Sequence, residues 1–192
     1  MKKIKCALLA VLLIATVCIP TLSLGMPSKD VSAADYVASV DFSNGATSGQ
    51  NLELHVATYN DARTEAATKG GSNCRHVPGG EYAYFKANDS AIPTSQRNMF
   101  IEVTYYDEGT NGFAVQYNGT VGDYQNAEIA RTGSNTWTTT SVIITDAAFA
   151  NKQNNAADFR ISGEVYIRSV KITFDSVDLN QPDLGKRTGG SS

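Results

Sequence analysis

The side chains with most to offer chemically are tyrosines that alternate along strand-like segments. In Glu81 to Ala87 (EYAYFKA), Ala83, Phe85 and Ala87 fall on one face, and Tyr82, Tyr84 and Lys86 on the other. In Asn98 to Tyr106 (NMFIEVTYY), Ile101, Val103 and Tyr105 face inward, and Glu102, Thr104 and Tyr106 outward. Gln116 points out of Gly112 to Tyr117 (GFAVQY), whose Phe113, Val115 and Tyr117 point in, and Arg160 lies outside between inward Phe159 and Ile161. If these strands share a sheet, Tyr82, Tyr84, Glu102, Tyr106, Gln116 and Arg160 form one outer face. Flat rings cover an apolar C–H surface, while carboxylate, amide and guanidinium groups hydrogen-bond a rim of hydroxyls; a sugar ring offers both. Trp137, the single tryptophan, starts a strand, where it either stacks on such a ring or closes one end of the core. Tyrosines also suit any pleated surface, so an ordinary structural role stays open for each.

Other chemistries find less support. A glycosidase needs two carboxylates flanking the scissile bond. Asp107 and Glu108 are adjacent in a turn and diverge, and nothing in the spacing makes Glu81 and Glu102 face each other. The sequence has no G-x-S-x-G and no H-E-x-x-H. His55 and His76 are the only histidines, which excludes a histidine-rich zinc site. Arg160 and Lys86 near Tyr84 are the one grouping that a lyase would use. Calcium takes oxygen ligands, and Asp41 and Asp175, at the ends of the first and last strand segments, are the candidate pair for a structural calcium ion.

These groups must be positioned by strands. Period-two runs broken by Gly, Asn and Asp dominate: Tyr36 to Phe42, Leu52 to Thr58, Glu81 to Ala87, Asn98 to Tyr106, Gly112 to Tyr117, Ala127 to Ala130, Trp137 to Thr145, Asp158 to Ile161 and Val165 to Phe174. Eight or nine short strands without intervening helices predict an all-β, antiparallel two-sheet sandwich of jelly-roll type. Across DEGTNG, the two strands ending at Tyr106 and starting at Gly112 are expected to pair as a hairpin. Asp146 to Asn151 hints at a helical turn, with Phe149 against the core.

The ends read differently. Three lysines precede an apolar run of about fourteen residues from Cys6 to Ile19, a secretory signal pattern too short to span a bilayer. Val31-Ser32-Ala33 suits cleavage, giving a signal over 1–33, a domain over 34–178 and a tail over 179–192. Cleavage removes four of the sixteen basic residues and one of the nineteen acidic ones, and takes the net charge from −3 to −6. That balance argues against nucleic acid and anionic membrane surfaces. Cys6 and Cys18 leave with the signal, so Cys74 has no partner for an intramolecular disulfide and packing must hold the domain together. The Gly- and Ser-rich end from Pro182 to Ser192 reads as a linker, with a catalytic domain expected beyond Ser192.

The strings YAYFKANDS (82–90), IEVTYYDEGTNGFAVQYNG (101–119), TGSNTWTTTSVIITDAAFANKQNNAADFRI (132–161) and YIRSVKITF (166–174) resemble jelly-roll carbohydrate-binding modules and the ancillary β-sandwich domains of secreted bacterial glycoside hydrolases and polysaccharide lyases. The resemblance covers most of residues 35–178, and its most specific part runs from Trp137 to Ile161. It implies a β-sandwich in an extracellular setting with a polysaccharide ligand and often a structural calcium; the expected role is that of a monomeric, non-catalytic binding module. It transfers no binding residues. A sandwich that braces a catalytic domain without binding sugar, and a small secreted lyase or esterase, are the alternatives.

Overall fold

The computed structural model describes residues 36–56, 61–92 and 97–174; the expected signal segment, Asp175 and the expected C-terminal tail lie outside them. Among the described residues, eleven strands form two sheets. The first sheet holds β1 (Tyr36–Asp41), β3 (Glu65–Lys69), β4 (Ser72–Val77), β6 (Arg97–Tyr106), β9 (Trp137–Ala147) and β11 (Val165–Phe174). Its order is β3-β4-β11-β6-β9, with β1 also paired to β11. The second holds β2 (Leu52–Leu54), β5 (Tyr82–Ala87), β7 (Phe113–Tyr117), β8 (Gln125–Ile129) and β10 (Phe159–Ser162), in the order β2-β5-β10-β7-β8. All strand pairings are antiparallel.

Alternation decides what enters the core. Met99, Ile101, Val103 and Tyr105 of β6 are buried, as are Ala83, Phe85 and Ala87 of β5 and Phe159 and Ile161 of β10. Between the sheets Phe85 stacks on Phe159 at 4.8 Å, Phe159 on Phe149 at 5.3 Å, and Phe149 meets Phe174 edge-on at 5.1 Å. In β11 the period breaks once: Val165, Ile167, Val170, Ile172 and Phe174 are all buried. The register against β6 slips between Ile167 and Ser169, and this bulge resets the inward face.

Three expectations require correction. The strands on either side of DEGTNG do not pair: β6 joins β11 and β9, while β7 joins β10 and β8. The segment crosses from one sheet to the other. Its start is fixed by Asp107, which is buried; its Oδ1 accepts the Thr132 N–H at 3.0 Å, and its Oδ2 accepts the Thr132 hydroxyl at 2.5 Å and the Ser134 N–H at 3.1 Å. Two strands beyond the expected nine are β3 and β4, which are polar and close through Gly70 and Gly71, both at positive φ. The expected helical turn at Asp146 is instead the end of β9, and a short 3-10 turn follows at Asn154–Ala156. Phe149 is in the core as expected.

The Thr132 hydroxyl, then the Ser134 and Thr132 N–H groups, hold the Asp107 carboxyl well below the usual carboxylate range. A depressed folded pKa adds stability above the unfolded value of about 3.9, and that stability is lost as pH falls through the folded value. Asp107→Ala therefore costs on the order of 3 kcal/mol at neutral pH. Urea denaturation should show the gap to wild type narrowing near pH 3.

Candidate functional site

The outward residues of the second sheet form one connected group. The ladder sets Arg160 opposite both Tyr84 on β5 and Gln116 on β7. The Arg160 Nε donates to Gln116 Oε1 at 2.6 Å and Nη1 to the Tyr84 hydroxyl at 2.5 Å, with Asp61 Oδ2 at 3.7 Å from Nη1. The Tyr84 hydroxyl donates to Asp61 Oδ1 at 3.0 Å and accepts from Asn154 Nδ2 at 3.0 Å. Three rings gather around the guanidinium: its carbon lies 3.8 Å from the Tyr82 centroid, 4.7 Å from Tyr124 and 5.4 Å from Tyr84.

These rings are not equivalent. Tyr84 is fully buried, whereas Tyr124 is 42 % exposed, and Tyr82 is half-buried. Burial pushes the Tyr84 phenol up to about 12, and the Arg160 hydrogen bond opposes that rise. A phenol so held is a poor base at neutral pH, which weakens the lyase grouping. Its other cation, Lys86, is engaged by Asp89 at 2.7 Å, by Asn151 and by the buried Asp158 at 3.5 Å. Burial raises the Asp158 pKa, against the Ala87 and Asn151 N–H groups that its carboxylate accepts at 2.8 and 3.0 Å.

The single outer face expected from the sequence is two faces. Tyr82, Tyr84, Gln116 and Arg160 occupy the second sheet; Glu102, Tyr106 and Trp137 lie on the first. There Glu102 pairs with Lys171 at 3.5 Å. Trp137 does not close the core: it sits opposite Tyr106 in the ladder and meets its ring edge-on at 5.5 Å. Cations cover these rings. Lys69 lies 5.3 Å from Tyr106 and 4.7 Å from Tyr166, and Arg168 lies 5.2 Å from Trp137. The β3–β4 turn also presses on them, since a Cβ at Gly70 would lie 2.6 Å from Tyr106 Cε2.

Of the acids weighed for a glycosidase, Glu108 pairs with Lys69 at 2.5 Å and Glu81 with Arg63 at 3.3 Å, while Asp107 holds the 132–134 loop. Of the suggested calcium pair, Asp175 lies outside the described residues, and the register sets Asp41 opposite Ser169. Asp41 Oδ1 accepts the Ser43 N–H at 2.8 Å. Among the described residues, no three His, Cys, Asp or Glu side chains gather as a metal-holding group.

Sequence reasoning missed Asp61, Tyr124 and Asn154. Tyr124 precedes β8 at φ 59°, outside any alternating run. Asn154 lies in the 3-10 turn, and Asp61 is near β5 only because an isolated bridge links Ala62 to Tyr82. No pattern in the sequence marks these three.

No family model matches the chain, and no curated protein does. Its solved structural neighbours include carbohydrate-binding modules. A CBM35 from Paenibacillus barcinonensis aligns at TM-score 0.40 and 16% identity, over 70% of this chain and 97% of that one. A CBM6 module of Cellvibrio mixtus lichenase 5A, solved with cellotriose, aligns at 0.38 and 16%, over 71% and 96%. A protein of unknown function from Shewanella oneidensis MR-1 aligns at 0.38 and 14%, over 78% and 90%.

The raised Tyr84 pKa has a visible consequence. Because the folded phenol resists ionisation, its contribution to stability is present below the unfolded value of about 10 and is lost as pH rises through about 12. Alkaline difference spectra of wild type minus Tyr84→Phe should show a tyrosinate phase near pH 12. A phase at the ordinary phenol value would contradict the buried network.

Proposed function

We propose that this chain is a non-catalytic carbohydrate-binding module and that the outer face of the second sheet takes the glycan. The observation that carries this reading is the guanidinium of Arg160, fixed by Gln116 and Tyr84 and framed by Tyr82 and the exposed Tyr124. A sugar ring laid on the exposed Tyr124 would cover its C–H face with aromatic carbon, with the half-buried Asp61, Gln116 and Asn154 around the buried Arg160 as partners for its hydroxyls. The polar groups are held by one another before a ligand arrives, which lowers the ordering cost of binding. On the first sheet the rings carry Lys69 and Arg168, and that face is assigned a structural role.

The N-terminal signal pattern supports export, and the Gly- and Ser-rich tail supports attachment to a glycan-degrading partner that the module holds near its substrate. Affinity electrophoresis against xylan, mannan, β-glucan and pectin tests the reading. Retardation is expected on at least one, and Tyr124→Ala should weaken it by about tenfold with the urea midpoint unchanged. Trp137→Ala should leave retardation intact. Equal retardation of wild type and Tyr124→Ala on every glycan would overturn the assigned face.

A further inference from the structure

The charge pattern of the candidate face selects among glycans, and this inference rests on the function just proposed. An arginine under tyrosines first suggests a site for acidic sugars. Its hydrogen bonds say otherwise. A guanidinium grips a carboxylate with two parallel N–H groups, either side-on through Nε and Nη2 or end-on through Nη1 and Nη2. The single hydrogen of Nε is committed to Gln116 Oε1 at 2.6 Å, which closes the side-on fork. Nη1 donates to the Tyr84 hydroxyl at 2.5 Å and has the Asp61 carboxylate beside it, Oδ2 at 3.7 Å, so a carboxylate arriving end-on would meet a negative oxygen already there. Arg160 is only 9 % exposed, and Nη2 makes no hydrogen bond among the described residues, so a ligand meets at most this one nitrogen, for which a lone hydroxyl or ring oxygen suffices.

The surrounding field points the same way. Asp61 neutralises Arg160 locally, and Lys86, the other cation of the face, is matched by Asp89 at 2.7 Å and Asp158 at 3.5 Å. Glu53, opposite Lys86 in the ladder, and Glu128, opposite Ala114, add exposed carboxylates. The carboxylates named on this face outnumber its cations Arg160 and Lys86, so an incoming uronate would meet a repulsion that salt screens. An uncharged sugar has no such repulsion.

We infer that the site takes neutral polysaccharide chains and rejects uronate-rich ones, with Asp61 as the residue that sets this preference. The test uses the full chain in affinity electrophoresis and titration calorimetry, with β-glucan, xylan and mannan as neutral probes and polygalacturonate and alginate as acidic ones, at low and high salt. Neutral binding that does not change with salt is expected. Asp61→Asn keeps an oxygen for the Tyr84 hydroxyl but removes the countercharge, so it should gain polygalacturonate or alginate binding by up to about fivefold at low salt, and lose it at high salt. Wild-type binding to an acidic probe that weakens with salt and disappears in Arg160→Gln would overturn this inference and leave the binding function standing. Failure of Asp61→Asn, folded by near-UV circular dichroism, to bind acidic probes any better would also overturn it. Absence of binding to every probe would instead remove the proposed function itself.

Discussion

The fixed period of β10 governs most of what this molecule can do. Phe159 and Ile161 are fully buried between the sheets, and a strand turns successive side chains to opposite faces. Arg160 therefore has to point outward. Its neighbours are then set by the ladder, Tyr84 on one side and Gln116 on the other. Slipping the register by one residue would drive a guanidinium into the aromatic stack and expose two large apolar side chains. The core's hydrophobic demand and the site's geometry are one constraint seen from its two faces.

Outside the core, buried carboxylates do the work that disulfides do in many small exported domains. Asp107 gathers the 132–134 loop at the point where the chain leaves the first sheet. Asp158 joins the end of β5 to the segment at Asn151 and lies beside Lys86. Each is enclosed by donors, as burying a charge demands. Cys74, the one cysteine among the described residues, is buried and points its thiol at the Ala67 carbonyl.

The fold was legible where apolar residues alternate. The inward sets of β5, β6, β7 and β10 follow directly from EYAYFKA, FIEVTYY, FAVQY and DFRI. β3 and β4 were hidden because EAATK and SNCRHV bury little, although the Gly70-Gly71 pair between them is a hairpin signal. Sheet membership was not legible at all. Alternation reports which side of a strand faces the core and says nothing about which sheet the strand joins, so it cannot separate Tyr106 and Glu102 from outward residues on the opposite side of the sandwich. Half of the site could be read because Tyr82, Tyr84, Gln116 and Arg160 sit on strands. The other half, Asp61, Tyr124 and Asn154, comes from segments whose position depends on tertiary packing.

The central claim is that one face, organised by Arg160, receives the glycan. Backbone and arginine side-chain NMR shifts, followed while a neutral oligosaccharide is titrated into the protein, test it most directly. The account predicts that the Arg160 Nε–H and the amides around Tyr82, Gln116 and Tyr124 move together along one saturating curve, while those around Tyr106, Trp137 and Arg168 stay still. Saturating shifts centred on Trp137 and Tyr106, with Arg160 unmoved, would contradict it.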